Sequence, residues 1–357
     1  MSVEKIKNKI ISSERLSRED VLELFLSDDI FSIGKMAQWV AEKKNGKFVY
    51  FIHNRHINPT NLCVNRCRLC AFSKDKGDPN AYTMSLEDIM EKARNSEKGI
   101  TEFHIVGGLH PELSFDYYIQ MLKMLKEEFP DIHIQAFTAV EIDYFSKISG
   151  LDVRDVLIKL KEAGLGSLPG GGAEIFDPSV RGAICEKKIS GERWLEIMEI
   201  AHTLGLRSNA TMLYGHIEDY GQRVDHLIKL RELQDKTGGF QSFIPLSFHP
   251  YGTEIKKSYL TTGIDDLKTL AISRLVLDNF DHIKAFWIML GEKIAQVSLY
   301  FGVDDIDGTV VEEKITHAAG ATRGEELTKE DLVDMIKRAG KIPVERDTIY
   351  NVIQVFD

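Results

Sequence analysis

Cys63, Cys67 and Cys70 are three of only four cysteines in 357 residues, and they fall together as Cys-x3-Cys-x2-Cys. So few cysteines cannot build a disulfide framework, and the clustering asks instead for a metal. A structural zinc site takes four protein ligands, commonly from two separated Cys-x2-Cys pairs, and no second pair is present. Three thiolates suit a cubane [4Fe–4S] cluster with one iron left open, and an open iron can chelate a small molecule instead of merely passing electrons. A zinc loop or an incidental trio remains the alternative at this level. Cys185, outside the array, reads as an ordinary partly buried thiol.

The array needs a framework, and the flanking sequence supplies one. From Lys47 onward, short β-prone runs alternate with longer amphipathic segments. The predicted strands are 48–57, 103–107, 133–138, 166–170, 207–214, 241–248 and 284–290, with a weaker eighth at 307–311. Helices are predicted over 85–94, 116–128, 153–163, 192–204, 222–237 and 265–277, the first opened by a Ser85/Asp88 capping box. This alternation implies parallel strands joined by helical crossovers, and eight repeats favour a (β/α)8 TIM-type barrel. An open doubly wound sheet is disfavoured because no G-x-G-x-x-G turn follows an early strand. Residues 1–46 read as an N-terminal helical extension with a capping box at Ser17–Asp20, 47–312 as the barrel, and 313–357 as a C-terminal extension packed on it. That extension contains a helix at 328–338 and a final β-prone run at 349–356.

Composition narrows the function classes. Hydrophobic residues make up 43% and charged residues 28%, which is ordinary globular usage, so disordered and collagenous classes drop out. Against 55 Asp+Glu stand 45 Lys+Arg, a net charge of −10 that disfavours a polyanion partner such as nucleic acid. No apolar run approaches the roughly 18 residues of a membrane span. The amino terminus carries charges every few residues without an apolar signal segment, and a cytoplasmic location is expected.

The run Asn58-Pro59-Thr60-Asn61-Leu62-Cys63-Val64-Asn65-Arg66-Cys67-Arg68-Leu69-Cys70-Ala71-Phe72 resembles the cluster loop of the radical S-adenosylmethionine superfamily. The resemblance implies a [4Fe–4S] cluster on Cys63, Cys67 and Cys70, and S-adenosylmethionine bound at the open iron. It further implies reductive cleavage to methionine and a 5′-deoxyadenosyl radical, with the difficult chemistry supplied by the cofactor. The usual aromatic before the third cysteine is Leu69 here, with Phe72 beyond it. Gly107-Gly108 resembles the glycine pair that lets methionine approach, followed by Leu109 where a glutamate is common. Glu174 resembles the ribose-binding carboxylate, Arg193 the arginine that pairs with the methionine carboxylate, and Leu213 with the Gly215-x2-Glu218 ending the element flanking adenine.

Longer runs, among them Ala136–Ile142, Ser167–Pro178 and Phe243–Pro250, resemble the aminodeoxyfutalosine synthase family of the futalosine route to menaquinone. The likeness runs from about residue 45 to 325. It implies addition of the radical to 3-[(1-carboxyvinyl)oxy]benzoate, rearrangement, and loss of the carboxylate to give 6-amino-6-deoxyfutalosine. A reducing partner such as ferredoxin or flavodoxin is implied with it. An aryl enol-ether dicarboxylate needs neutral or cationic donors, and the candidates near predicted strand ends are His110, Thr138, Asn209, Gln241 and His249, with Glu141 as a partner for one of them. His53, His56, His202 and His226 read as surface or structural. The rival readings are the dehypoxanthine futalosine cyclase and deazaflavin (F0) synthase components, a non-catalytic iron–sulfur carrier, and a zinc-dependent barrel hydrolase.

Overall fold

The computed structural model describes residues 3–256, 261–310, 314–319 and 327–357. Helix starts are set by short polar side chains that satisfy the otherwise orphaned first-turn N–H groups. The Ser17/Asp20, Ser85/Asp88 and Thr328/Asp331 pairs each form a reciprocal capping box. Three helices, Val3–Ile11, Arg18–Leu26 and Ile30–Asn45, make up the N-terminal extension.

The strands are β1 (Phe48–Ile52), β2 (Asn54–Ile57), β3 (Glu102–Ile105), β4 (His133–Ala136), β5 (Ser167–Leu168), β6 (Arg207–Tyr214), β7 (Phe240–Ser247), β8 (His282–Ile283), β9 (Asp305–Gly308), β10 (Ile342–Arg346) and β11 (Val352–Val355). Strands β2 to β8 form one parallel sheet in chain order, and β11-β10-β1-β9 form a second. The predicted strand 48–57 divides because its first half pairs with β9 and β10 and its second half with β3. Strand β9 closes the ring. It pairs with β1 and meets the β8 end through the Lys284–Asp305 bridge, where the Ala285 N–H donates to the Asp305 carbonyl at 2.8 Å. The expected (β/α)8-type barrel with terminal additions is therefore the architecture.

Alternation along the strands separates two environments. Phe103, Ile105, Ile134, Ala136, Ala210 and Met212 face the apolar core. Their neighbours Glu102, His104, Gln135, Asn209 and Thr211 line the cavity inside the barrel.

Four sequence expectations need correction. Residues 287–290 of the predicted strand 284–290 form a helical turn instead, with the Trp287 indole donating to the Gly308 carbonyl at 2.9 Å, and the strand ends at Ile283. A short apolar run buried on all sides reads alike in either state. Thr138 and Glu141 open an unanticipated helix, Ala139–Ser149, as its capping box. Strand β10 was hidden by Pro343, which argues against a central strand. Strand β9 begins at Asp305, ahead of the predicted 307–311, while Val311 and the 312/313 boundary lie outside the described residues. Among the described residues no helix is long and apolar enough to cross a membrane.

Candidate active site

A cavity of about 330 Å³ opens where the carboxyl ends of the barrel strands converge. Cys63, Cys67 and Cys70, on the loop after β2, all line it. Two bridges, Thr60–Thr83 and Leu62–Lys74, fold this loop back over the strand ends. Gly107 and Gly108 serve that fold: a Cβ on Gly108 would come within 2.2 Å of the Leu62 carbonyl, and the Gly108 N–H donates to Thr60 at 2.8 Å. Glycine is required there so that the β3 end can approach the cysteine loop, whatever else the pair borders.

Cys67 is buried, and Cys63 and Cys70 are half-buried. Burial pushes the Cys67 thiol up to about 12, so a metal group binding there has to displace a proton. Among the described residues no three His, Cys, Asp or Glu side chains are gathered closely enough to hold one metal ion. Three thiols around a single cavity, with no fourth thiol among its lining residues, fit a wider polynuclear group with one open position. Cys185, expected to be partly buried, is fully buried and does not line the cavity, although it lies close enough to Cys67 to push that thiol further up.

Leu69, Phe72, Leu213 and Glu174 also line the cavity. Glu174 sits at φ 47, a region non-glycine residues rarely adopt, after a turn in which a Cβ on Gly170 would collide with the Asn209 carbonyl at 2.2 Å. Its carboxylate pairs with half-buried Lys188. Burial alone would raise the Glu174 pKa; the Lys188 ammonium outweighs it and holds the group below the usual carboxylate range. Glu218, by contrast, accepts from the Gly215 and His216 N–H groups and pairs with Arg223 at 2.6 Å, so it clamps the turn after β6.

Of the substrate candidates, Thr138, Glu141, Asn209 and His249 line the cavity, and His110 and Gln241 do not. The His110 Nδ1 is turned into its own loop, accepting the Glu112 and Leu113 N–H groups. Gln241 lies behind Asn209, donating to its Oδ1 at 3.3 Å. Arg193 is likewise off the cavity, held by Asp143 at 2.9 Å and Glu196 at 2.8 Å on its helix. Sequence reasoning missed His104, Lys188, Lys284 and Asp307, all on the cavity, and misplaced His56, which lines it too. The signal for the histidines was parity: His56 and His104 alternate with Ile57 and Ile105 on neighbouring strands. No such signal marks Lys188, which lies on the loop after the Pro178–Ile184 helix.

Glu141 accepts from the Gly107 N–H at 3.1 Å and the Thr138 N–H at 2.7 Å. Burial raises its carboxyl to about 7 in spite of those donors. The folded state therefore holds this proton more tightly than the unfolded chain. The associated stability is complete below the ordinary carboxylate range and is lost as pH rises toward about 7, by roughly 3 kcal/mol. Urea midpoints at pH 5 and pH 8 should show that decline in the wild type and a flatter response in Glu141→Gln; an equal response in both would remove Glu141 as its source.

The Radical SAM superfamily profile matches residues 57–230, and the CofH/MqnC C-terminal region matches residues 237–357. Aminodeoxyfutalosine synthase of Thermus thermophilus is 47% identical, covering 99% of this chain and 96% of that protein. The synthase of Streptomyces coelicolor is 46% identical, covering 99% and 94%. The 5-amino-6-(D-ribitylamino)uracil–L-tyrosine 4-hydroxyphenyl transferase of Methanopyrus kandleri is 42% identical, covering 92% and 90%. Among solved structures, methylornithine synthase shares the fold at a TM-score of 0.73 and 17% identity, covering 94% of this chain and 95% of the other.

Proposed function

We propose, from the premise that this chain belongs to the radical SAM superfamily, in the group of aminodeoxyfutalosine synthases and hydroxyphenyl transferases, that it is a synthase of the first kind. It joins the adenosyl group of S-adenosylmethionine to 3-[(1-carboxyvinyl)oxy]benzoate, with rearrangement and loss of a carboxylate, and releases 6-amino-6-deoxyfutalosine and methionine. The reading is carried by a likeness to two such synthases that runs the length of the chain.

When bound, a [4Fe–4S] cluster supplies the low-potential electron that cleaves S-adenosylmethionine, and a ferredoxin- or flavodoxin-type protein supplies that electron in turn. The residues of this chain hold and orient. Cys63, Cys67 and Cys70 grip the cluster. Leu69, Phe72 and Leu213 give the nucleoside apolar surface, and Gly107 and Gly108 shape the wall beside it. Glu174 accepts from the ribose hydroxyls through the oxygen that Lys188 leaves free. Thr138, Asn209 and His249 border the second substrate. The apolar lining limits water near the radical, and fixed placement keeps it from abstracting hydrogen from the protein.

Glu174→Gln keeps the side-chain shape and a partner for Lys188. It should weaken S-adenosylmethionine binding by about 1–3 kcal/mol in calorimetric titration. Unchanged affinity removes Glu174 from the ribose site.

The reaction itself is tested by anaerobic incubation of reconstituted protein with S-adenosylmethionine, dithionite and the enol ether, followed by mass spectrometry. An adenosyl adduct formed with one methionine per turnover is expected. Free 5′-deoxyadenosine as the main nucleoside, or consumption of tyrosine with 5-amino-6-(D-ribitylamino)uracil, would overturn the assignment.

A further inference from the structure

The floor of the cavity carries hydrogen-bonding capacity that the protein leaves unused. His56 is 6% exposed and lines the cavity, and its Nε2 has no hydrogen-bond partner. A buried ring nitrogen without a partner is costly, so it points to a ligand. Burial, and the His104 ring stacked on it at 4.4 Å, hold His56 neutral with a pKa well below the usual value. Lys284, also buried and lining the cavity, donates to Asp307 Oδ1 at 2.8 Å. An ammonium has three donors, so two remain.

Each acceptor around them already takes a protein donor. The Asp307 carboxylate takes Lys284, and its backbone, at φ 66, is pinned by its own N–H donating to Asp305 Oδ1 at 2.7 Å. Glu102 accepts from Asn54 Nδ2 at 3.3 Å and lies 3.7 Å from His104. Gln135 Oε1 accepts from Asn209 Nδ2 at 3.3 Å. What the floor has to spare is two ammonium N–H groups and the His56 Nε2, which donates in the tautomer that carries its proton there.

We propose that His56 and Lys284 form a carboxylate subsite that anchors the ring carboxylate of the aryl enol ether at the cavity floor. The assignment rests on the reaction proposed above. The cysteine loop, beyond the end of β2, fixes where the 5′ carbon is presented, so the enol-ether carbon must face that end. The meta carboxylate is then the group directed away from it. Val106, Ile244, Leu246, Phe286 and Met289 give the ring an apolar belt between the two ends.

The test titrates the reconstituted holoenzyme without reductant, so that substrate binds and does not react. With S-adenosylmethionine present, the enol ether is compared with its ring methyl ester. The wild type should prefer the acid by about tenfold or more. Lys284→Met should lose that preference while S-adenosylmethionine affinity stays unchanged, and Lys284→Arg should regain part of it. A Lys284→Met protein that separates acid from ester as the wild type does overturns the subsite. If that variant fails to fold, His56→Phe, which keeps an aromatic ring against His104, provides the same comparison. A wild type that makes no adduct overturns the proposed reaction; titration with isophthalate, an unreactive aryl dicarboxylate, then reads the floor independently, and isophthalate bound equally by wild type and Lys284→Met overturns the subsite alone.

Discussion

Alanine at Cys63, Cys67 or Cys70 is expected to abolish adduct formation and S-adenosylmethionine cleavage, with iron and sulfide falling from about four per chain to near zero after anaerobic reconstitution. With three thiols on the cavity and no fourth among its lining residues, each would hold one corner of the cluster. Cys185→Ala is the control: its thiol is buried outside the array, and both iron content and turnover should survive. Each cluster-free variant should lose only about 1 kcal/mol of chain stability, the ordinary cost of one substitution, because the loop is also pinned by its Thr60–Thr83 and Leu62–Lys74 bridges. Iron measured directly by absorbance and metal analysis separates loss of the cluster from loss of the fold. Full iron in a Cys70→Ala protein, or equal loss from Cys185→Ala, would show the ligand set to be misassigned.

Asp305→Ala should destabilise the protein by about 3–5 kcal/mol, read from urea denaturation, because it leaves a buried cation without its partner. Asp305 is fully buried on β9, where its Oδ2 accepts from Arg346 Nε at 2.7 Å and from the Tyr350 hydroxyl at 2.8 Å. Arg346 is 2% exposed at the end of β10, its guanidinium 4.0 Å over the Tyr350 ring. This cluster ties the C-terminal strands to the strand that closes the barrel. Replacing Asp305 and Arg346 together by apolar residues of similar volume should recover much of the loss, since removing both charges removes the unpaired one. A loss below about 1 kcal/mol for Asp305→Ala would mean that water reaches Arg346 and that the cluster is not the latch its burial implies.

Particular residues show how far the sequence could be read. The thiol array was legible because its spacing is local: three ligands within one loop need no knowledge of the fold. The alternating pattern gave the parallel barrel for a similar reason, since period-2 and period-3.6 burial are imprinted on each segment separately. Boundaries failed where burial is two-sided. At 284–290 nothing in the pattern separates a strand from a buried helical turn, and that misreading hid Lys284, which sits just past the true end of β8.

Arg193 illustrates the other kind of miss. The role that the resemblance implies for it requires the intervening turns to carry it to the mouth, and the structure instead turns it toward Asp143 and Glu196. His110 and Gln241 stand near strand ends as read, yet one faces its own loop and the other lies behind Asn209. Facing is a property of the ring of strands, not of any one of them.

The sequence by itself determined that a loop of clustered thiols follows the first barrel strand, that parallel strands and helices alternate behind it, and that no cysteine framework supports the fold. Only the tertiary structure decided which polar side chains share the lumen. His56, Lys188, Lys284 and Asp307 come from widely separated segments, and they meet because closure of the barrel by β9 turns their strands and loops inward together. Local chemistry is written in neighbouring residues; a pocket is made by long-range pairing, whose register is set by packing across the whole ring.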